Sequence, residues 1–94
     1  MLPRSYALHA PSPNPAGAQA EVSFDLPEAA RVRLAVYDLL GRAVATLADG
    51  DTAAGTHRAV FSAEDVPAGV YVVRLEAQGA QRSFAATQRL TVVK

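Results

Sequence analysis

The sequence predicts an all-β domain, a sandwich of about six to seven short antiparallel strands. Two observations carry that expectation. Apolar residues recur with period two in the segments long enough to show a period, which is how an extended chain buries one face. Gly and Pro turn chemistry also returns at intervals of about 10 to 12 residues, with no long helical period between the strands to make a crossover sheet. A chain of 94 residues has material for one core only, so the strands are expected to share it.

From Ala10 to Pro15 the chain reads Ala-Pro-Ser-Pro-Asn-Pro. The prolines remove backbone donors and hold the residues before them extended. Residues 1–19 are therefore expected to be a Pro-rich linker and lead-in, and residues 20–94 the sandwich. Met1 to Ser5 lack the apolar stretch of a secretory signal, so an exported protein would carry its signal upstream.

The first expected strand is Ala20 to Leu26, where Val22, Phe24 and Leu26 alternate with Glu21, Ser23 and Asp25. The second reaches Asp38, with Val32, Leu34 and Val36 inward. Leu39 to Arg42 should turn the chain, Gly41 supplying the positive φ of a tight hairpin. Ala43 to Leu47 alternates poorly, which predicts a third strand with a bulge or an edge position. Asp49-Gly50-Asp51 and Ala54-Gly55 read as turns around a polar loop. His57, Ala59 and Phe61 share one face of a fourth strand, and Ser62 to Ala68 is a crossover loop. A fifth strand opens at Gly69 with Tyr71, Val73 and Leu75 inward, and Gln78-Gly79 turns the chain again. The last strand runs from about Ser83 to Val93, with Phe84, Leu90 and Val92 on one side. Gln88 interrupts that side, so a bulge is expected there.

Nine basic residues balance nine acidic ones, so no net field draws nucleic acid towards the domain and none is expected as a partner. Cysteine is absent, which excludes disulfides, thiolate chemistry and Cys-based zinc sites. His9 and His57 lack the spacing of a metal site. His57 is in phase with the inward face of its strand and is expected half-buried, bonded to a backbone group. A glycosidase pair of carboxylates needs a cleft that so small a sandwich hardly provides. Asp49-Gly50-Asp51 lacks the ligand series of a calcium loop, and neither a nucleophile elbow nor a Gly-rich phosphate loop occurs. No catalytic residue, metal, cofactor or small-molecule substrate is expected, and the chain is not expected to be an enzyme. Tyr71, at the start of a strand, reads as a core tyrosine whose hydroxyl reaches a backbone carbonyl.

Six segments in order give the chain a resemblance. They are Ser12 to Pro15, Val22 to Ala29, Val36 to Arg42, Ala54 to His57, Pro67 to Tyr71 and Gln88 to Lys94. Together they resemble the type A C-terminal sorting domains of the type IX (Por) secretion system of Bacteroidetes-like bacteria, and the resemblance covers about Pro11 to Lys94. It implies an immunoglobulin-like sandwich, related to immunoglobulin-like domains of the flagellar hook-capping protein. It also implies a tag behind an N-terminal cargo domain, recognised by outer-membrane and periplasmic components of the secretion system. The cargo would reach the cell surface or the outside by way of the periplasm. A sortase-like protease would act on the linker ahead of the first strand. By this resemblance the translocon-recognition residues are Gly69, Val70 and Tyr71 with Arg89, Leu90, Thr91, Val92, Val93 and Lys94. The alternative is a structural or adhesive immunoglobulin-like spacer of a multidomain extracellular protein.

Overall fold

The computed structural model describes residues 2–94; Met1, the first residue of the expected lead-in, lies outside the described residues. The strands are β1 (Ala7–Leu8), β2 (Gln19–Leu26), β3 (Ala30–Tyr37), β4 (Ala43–Thr52), β5 (Gly55–Ser62), β6 (Gly69–Gly79) and β7 (Ser83–Val92). They form a three-stranded sheet, β1-β2-β5, and a four-stranded sheet, β4-β3-β6-β7, all paired antiparallel. The chain is an all-β sandwich, as its periodicity predicts. β2 and β5 lie in one sheet and β3, β6 and β7 in the other, the partition of immunoglobulin-like sandwiches.

The core follows from the alternation. Val22, Phe24 and Leu26 of β2, with Phe61 of β5, meet Val32, Leu34, Val36, Val73, Leu75, Leu90 and Val92 of the larger sheet, all essentially without exposure. Burying a side chain of this kind stabilises by about 1.5–3 kcal/mol before the entropy of ordering it is counted. Among the described residues every buried side-chain nitrogen or oxygen has a hydrogen-bond partner.

Three local expectations are corrected. β4 continues through Asp49-Gly50-Asp51 instead of turning there. Asp49 and Asp51 lie opposite Arg33 and Arg31 of β3, and opposite charges facing across a ladder favour strand over turn. The expected irregularity is present, as register shifts between Leu34 and Ala35 and between Val36 and Tyr37 against β4. β6 likewise runs on to Gly79, so the chain turns later, closed by Gly79 N–H donating to the Arg82 carbonyl at 2.8 Å. A methyl group at Gly79 would meet the Tyr6 hydroxyl and the Glu28 carboxylate, so a side chain there would require those two side-chain ends to shift. β7 pairs with β6 without a break from Ser83 to Val92, so Gln88 makes no bulge. Its side chain points into the open side of the sandwich, and Nε2 donates to the Leu8 carbonyl of β1 at 2.9 Å.

The lead-in belongs to the packing. Leu8 and Ala16 are buried in the core cluster, and the Tyr6 ring stacks on Phe84 with centroids 5.4 Å apart. Ser12 and Glu21 exchange two backbone hydrogen bonds, of 3.0 and 2.8 Å. The Ser12-Pro13 and Asn14-Pro15 peptide bonds are cis. From β1 the segment crosses to the outer edge of β7, where Ala16 bridges Val92 in parallel.

Candidate functional site

Four of the six sequence segments, far apart in the chain, meet at one end of a molecule 41 Å long. That end holds the β3–β4 turn (38–42), the loop before β6 (63–68), the start of β6, the end of β7 and the crossing at residues 12–16.

The β3–β4 turn is built by one side chain. Asp38 Oδ1 accepts the Leu40 and Arg42 N–H groups at 2.9 and 3.0 Å, and its Oδ2 accepts Arg42 Nε at 2.9 Å. Aspartate suits this position because its short carboxylate reaches the backbone two residues on. The Arg42 backbone N–H in the first place, then the Arg42 side chain and the Leu40 N–H, hold the Asp38 carboxyl below the usual carboxylate range against partial burial. Gly41, with φ of 82°, takes the left-handed corner. The consequence is a fixed tip that presents Leu39 and Leu40, 70% and 78% exposed. An open groove beside it is lined by Leu40, Val44, Pro67 and Tyr71.

The segments expected to be recognised fall together, with β6 from Gly69 to Tyr71 lying opposite β7 from Leu90 to Val92. Their roles in the fold differ. Tyr71 is buried, its hydroxyl donates to the Pro67 carbonyl at 2.5 Å, and its ring packs tilted on Phe61 with centroids 6.5 Å apart. This is the expected corner tyrosine, bonding four residues upstream as it does in immunoglobulin-type sandwiches. Leu90 and Val92 are buried in the core, Gly69, Val70 and Thr91 are half-buried, and Arg89, Val93 and Lys94 are exposed. Lys94 Nζ donates to the Glu64 carbonyl at 3.0 Å. A partner meeting the folded domain can therefore touch the exposed residues and the backbone, meets Tyr71 only at the wall of the groove beside Leu40, and does not reach Leu90 or Val92.

The outer edge of the final strand is covered at this end. Asn14 Nδ2 donates to the Arg89 carbonyl at 2.9 Å, and the Thr91 N–H donates to Asn14 Oδ1 at 3.0 Å. Ala16 N–H donates to the Thr91 carbonyl at 2.8 Å, and the Val93 N–H donates to the Ala16 carbonyl at 2.9 Å. Asn14, Ala16, Leu39 and Leu40 were absent from the recognition residues named by resemblance, although Asn14, Leu39 and Leu40 fall within the resembling segments. The signal for Asn14 was its place between two prolines, and for the leucines, two large apolar residues inside a turn.

The opposite end carries a second set of titratable side-chain contacts. His9 Nε2 donates to Asp25 Oδ2 and Thr56 Oγ1 to Asp25 Oδ1, both at 2.8 Å. Burial alone would raise the Asp25 carboxyl, but the Thr56 and His9 hydrogen bonds and the His9 charge outweigh it, and the net shift is downward. His57 is half-buried and Nε2 donates to the Ala53 carbonyl at 2.7 Å, the backbone bond its phase predicts. Tyr6 donates to Glu28 Oε2 at 2.7 Å, with the Arg82 guanidinium 5.4 Å from the Tyr6 ring centre. Among the described residues no group of three His, Asp or Glu side chains gathers as a metal site would require.

Comparison with known proteins follows the same outline. The sequence profile of the family described as "Secretion system C-terminal sorting domain" matches residues 12–89. No curated protein matches the chain significantly. Among solved structures, the crystal structure of CopC from Methylosinus trichosporium OB3b is similar, with a TM-score of 0.64 and 18% identity, covering 94% of this chain and 93% of that one. At that identity the likeness concerns the fold alone.

Proposed function

Because the chain belongs to the family of secretion system C-terminal sorting domains, which serve type IX secretion, we propose that it is the address of a cargo attached at its N-terminal side. The domain acts by being bound, by periplasmic and outer-membrane components of the secretion machinery, and is no catalyst itself. Its cargo is delivered to the cell surface or the outside. The observation that supports this reading is the convergence of four distant segments on one end, where Leu39 and Leu40 stay exposed on a turn tied at three points. Exposed apolar residues on a rigid support are what a protein-binding surface offers. A sortase-like protease acting on the folded domain would cut before Tyr6, because the backbone from His9 to Ala18 is bonded to β2, β7 and Ala63.

The test is a passenger protein fused ahead of residues 2–94 and expressed in a bacterium with type IX secretion and in the same strain lacking its outer-membrane pore. Export in the first only is expected. Periplasmic retention in both would reject the address and favour a spacer. Deleting residues 89–94 would be a poor version of this test, since Leu90 and Val92 would leave the core.

A further inference from the structure

We propose that Asn14–Ala16 is a releasable strap occupying the place of a partner's strand. In this view the outer edge of β7 receives an extended segment of the secretion machinery, running parallel to β7, once the strap lets go. The inference rests on the sorting function proposed above.

The bonding pattern identifies the surface. In a parallel ladder a residue opposite position j donates its N–H to the carbonyl of j−1 and accepts the N–H of j+1. Ala16 does this around Val92, using the Thr91 carbonyl and the Val93 N–H. Two residues earlier, continuous register would place residue 14 opposite Leu90, bonding the Arg89 carbonyl and the Thr91 N–H. Those are the groups Asn14 reaches, but with its side-chain amide instead of its backbone. A carboxamide carries one acceptor and a donor pair in the same plane and can imitate a peptide group. The strap is thus half a strand and half an imitation of one.

The strap is also short, and most of it is exposed. Ser12, Pro13, Asn14 and Pro15 are exposed, and only Ala16 of the three strap residues is buried. Pro13 and Pro15 have no N–H and cannot extend the ladder. Farther down β7, Ala85 and Thr87 are exposed, and among the described residues no backbone bond from outside the sheet reaches them. A true strand in the register of Ala16 would keep the bonds at Arg89, Thr91 and Val93 and add new ones at Thr87 and Ala85. Strand addition gains its affinity from such main-chain bonds, so the exchange favours an incoming strand. Val93, half exposed beside Ala16, would supply side-chain contact.

The experiment locks and loosens the strap. Ser12 and Glu21 form a hydrogen-bonded antiparallel pair with exposed side chains, a separation a disulfide can span. The chain has no cysteine of its own to interfere. In the passenger fusion, S12C/E21C is expected to cut export about tenfold relative to S12C and E21C alone, since the lock lowers the fraction competent to bind. On the purified domain, Asn14→Ala should speed hydrogen exchange of the Thr91 and Val93 amides about tenfold while the unfolding midpoint moves little. Equal export of locked and single-cysteine fusions would overturn the strap and leave the sorting reading standing. Exchange of Thr91 and Val93 only through global unfolding would also overturn it. Retention of the unmodified fusion would instead remove the sorting reading, and the strap proposal with it.

Discussion

The two ends of the sandwich are held together in different ways. At the end where the family segments meet, the exposed turn and the corner are closed by local bonds, with Asp38 closing its own turn and Tyr71 reaching back to Pro67, while Asn14 and Lys94 bond to Arg89, Thr91 and Glu64 farther along the chain. At the other end polar contacts join residues far apart in the chain, Tyr6 to Glu28 and Asp25 to His9 and Thr56. Local bonding leaves side chains over for a partner, and Leu39 and Leu40 are those left over. Long-range bonding closes the fold and leaves little exposed that is apolar. The contrast predicts that stability and sorting can be separated by position.

The largest effect should come from the core between the ends. Phe61→Ala removes the ring that spans from β5 to Tyr71 and should cost about 3–5 kcal/mol in a denaturant titration. It would lower sorting only by unfolding the domain, so export should recover at reduced temperature. Tyr71→Phe keeps the ring and deletes the corner bond, an expected loss of about 1 kcal/mol. Export by that variant should be nearly intact, because the hydroxyl faces the Pro67 carbonyl and not solvent. A strong export defect with a small stability change would mean that the machinery reads Tyr71 itself, and the division between ends would need redrawing.

A smaller effect is expected from pH at the far end. The Asp25 carboxyl is lowered in the folded state, so its contribution is present above the ordinary aspartate range and is lost as pH falls through the folded-state value. Asp25→Asn should therefore flatten part of the fall in melting temperature on acidification below about pH 4. Asp38 is lowered too, and a D25N/D38N pair should flatten the curve further than either change alone.

Much of the fold was legible because a half-buried strand writes its burial into the sequence with period two. Val22, Phe24 and Leu26, or Tyr71, Val73 and Leu75, needed nothing more; the His57 backbone bond followed from strand phase, and that of Tyr71 from its place at the start of a strand in a sandwich. The second half of β4 was hidden because Asp-Gly-Asp has turn composition, and only the arginines opposite it on β3 make it a strand. β1 spans two residues and is too short for any period. At the site, the segments named by resemblance pair on β6 and β7, yet their burial depends on which face of each strand meets the other sheet. Asn14 was unreadable as a strand mimic, since its partners lie 75 and 77 positions away and only the closed sandwich brings them near.

The separation of the two ends is tested most directly by export of two fusions, each checked to be folded at the growth temperature. One carries Leu39→Ser with Leu40→Ser, which should leave the unfolding free energy within about 0.5 kcal/mol because both side chains are on the surface. The other carries Asp25→Ala at the far end. Retention of the first in the periplasm, with the second secreted like the unmodified fusion, is the predicted result. Secretion of the leucine variant at the unmodified level, or retention of the Asp25 variant while folded, would contradict it.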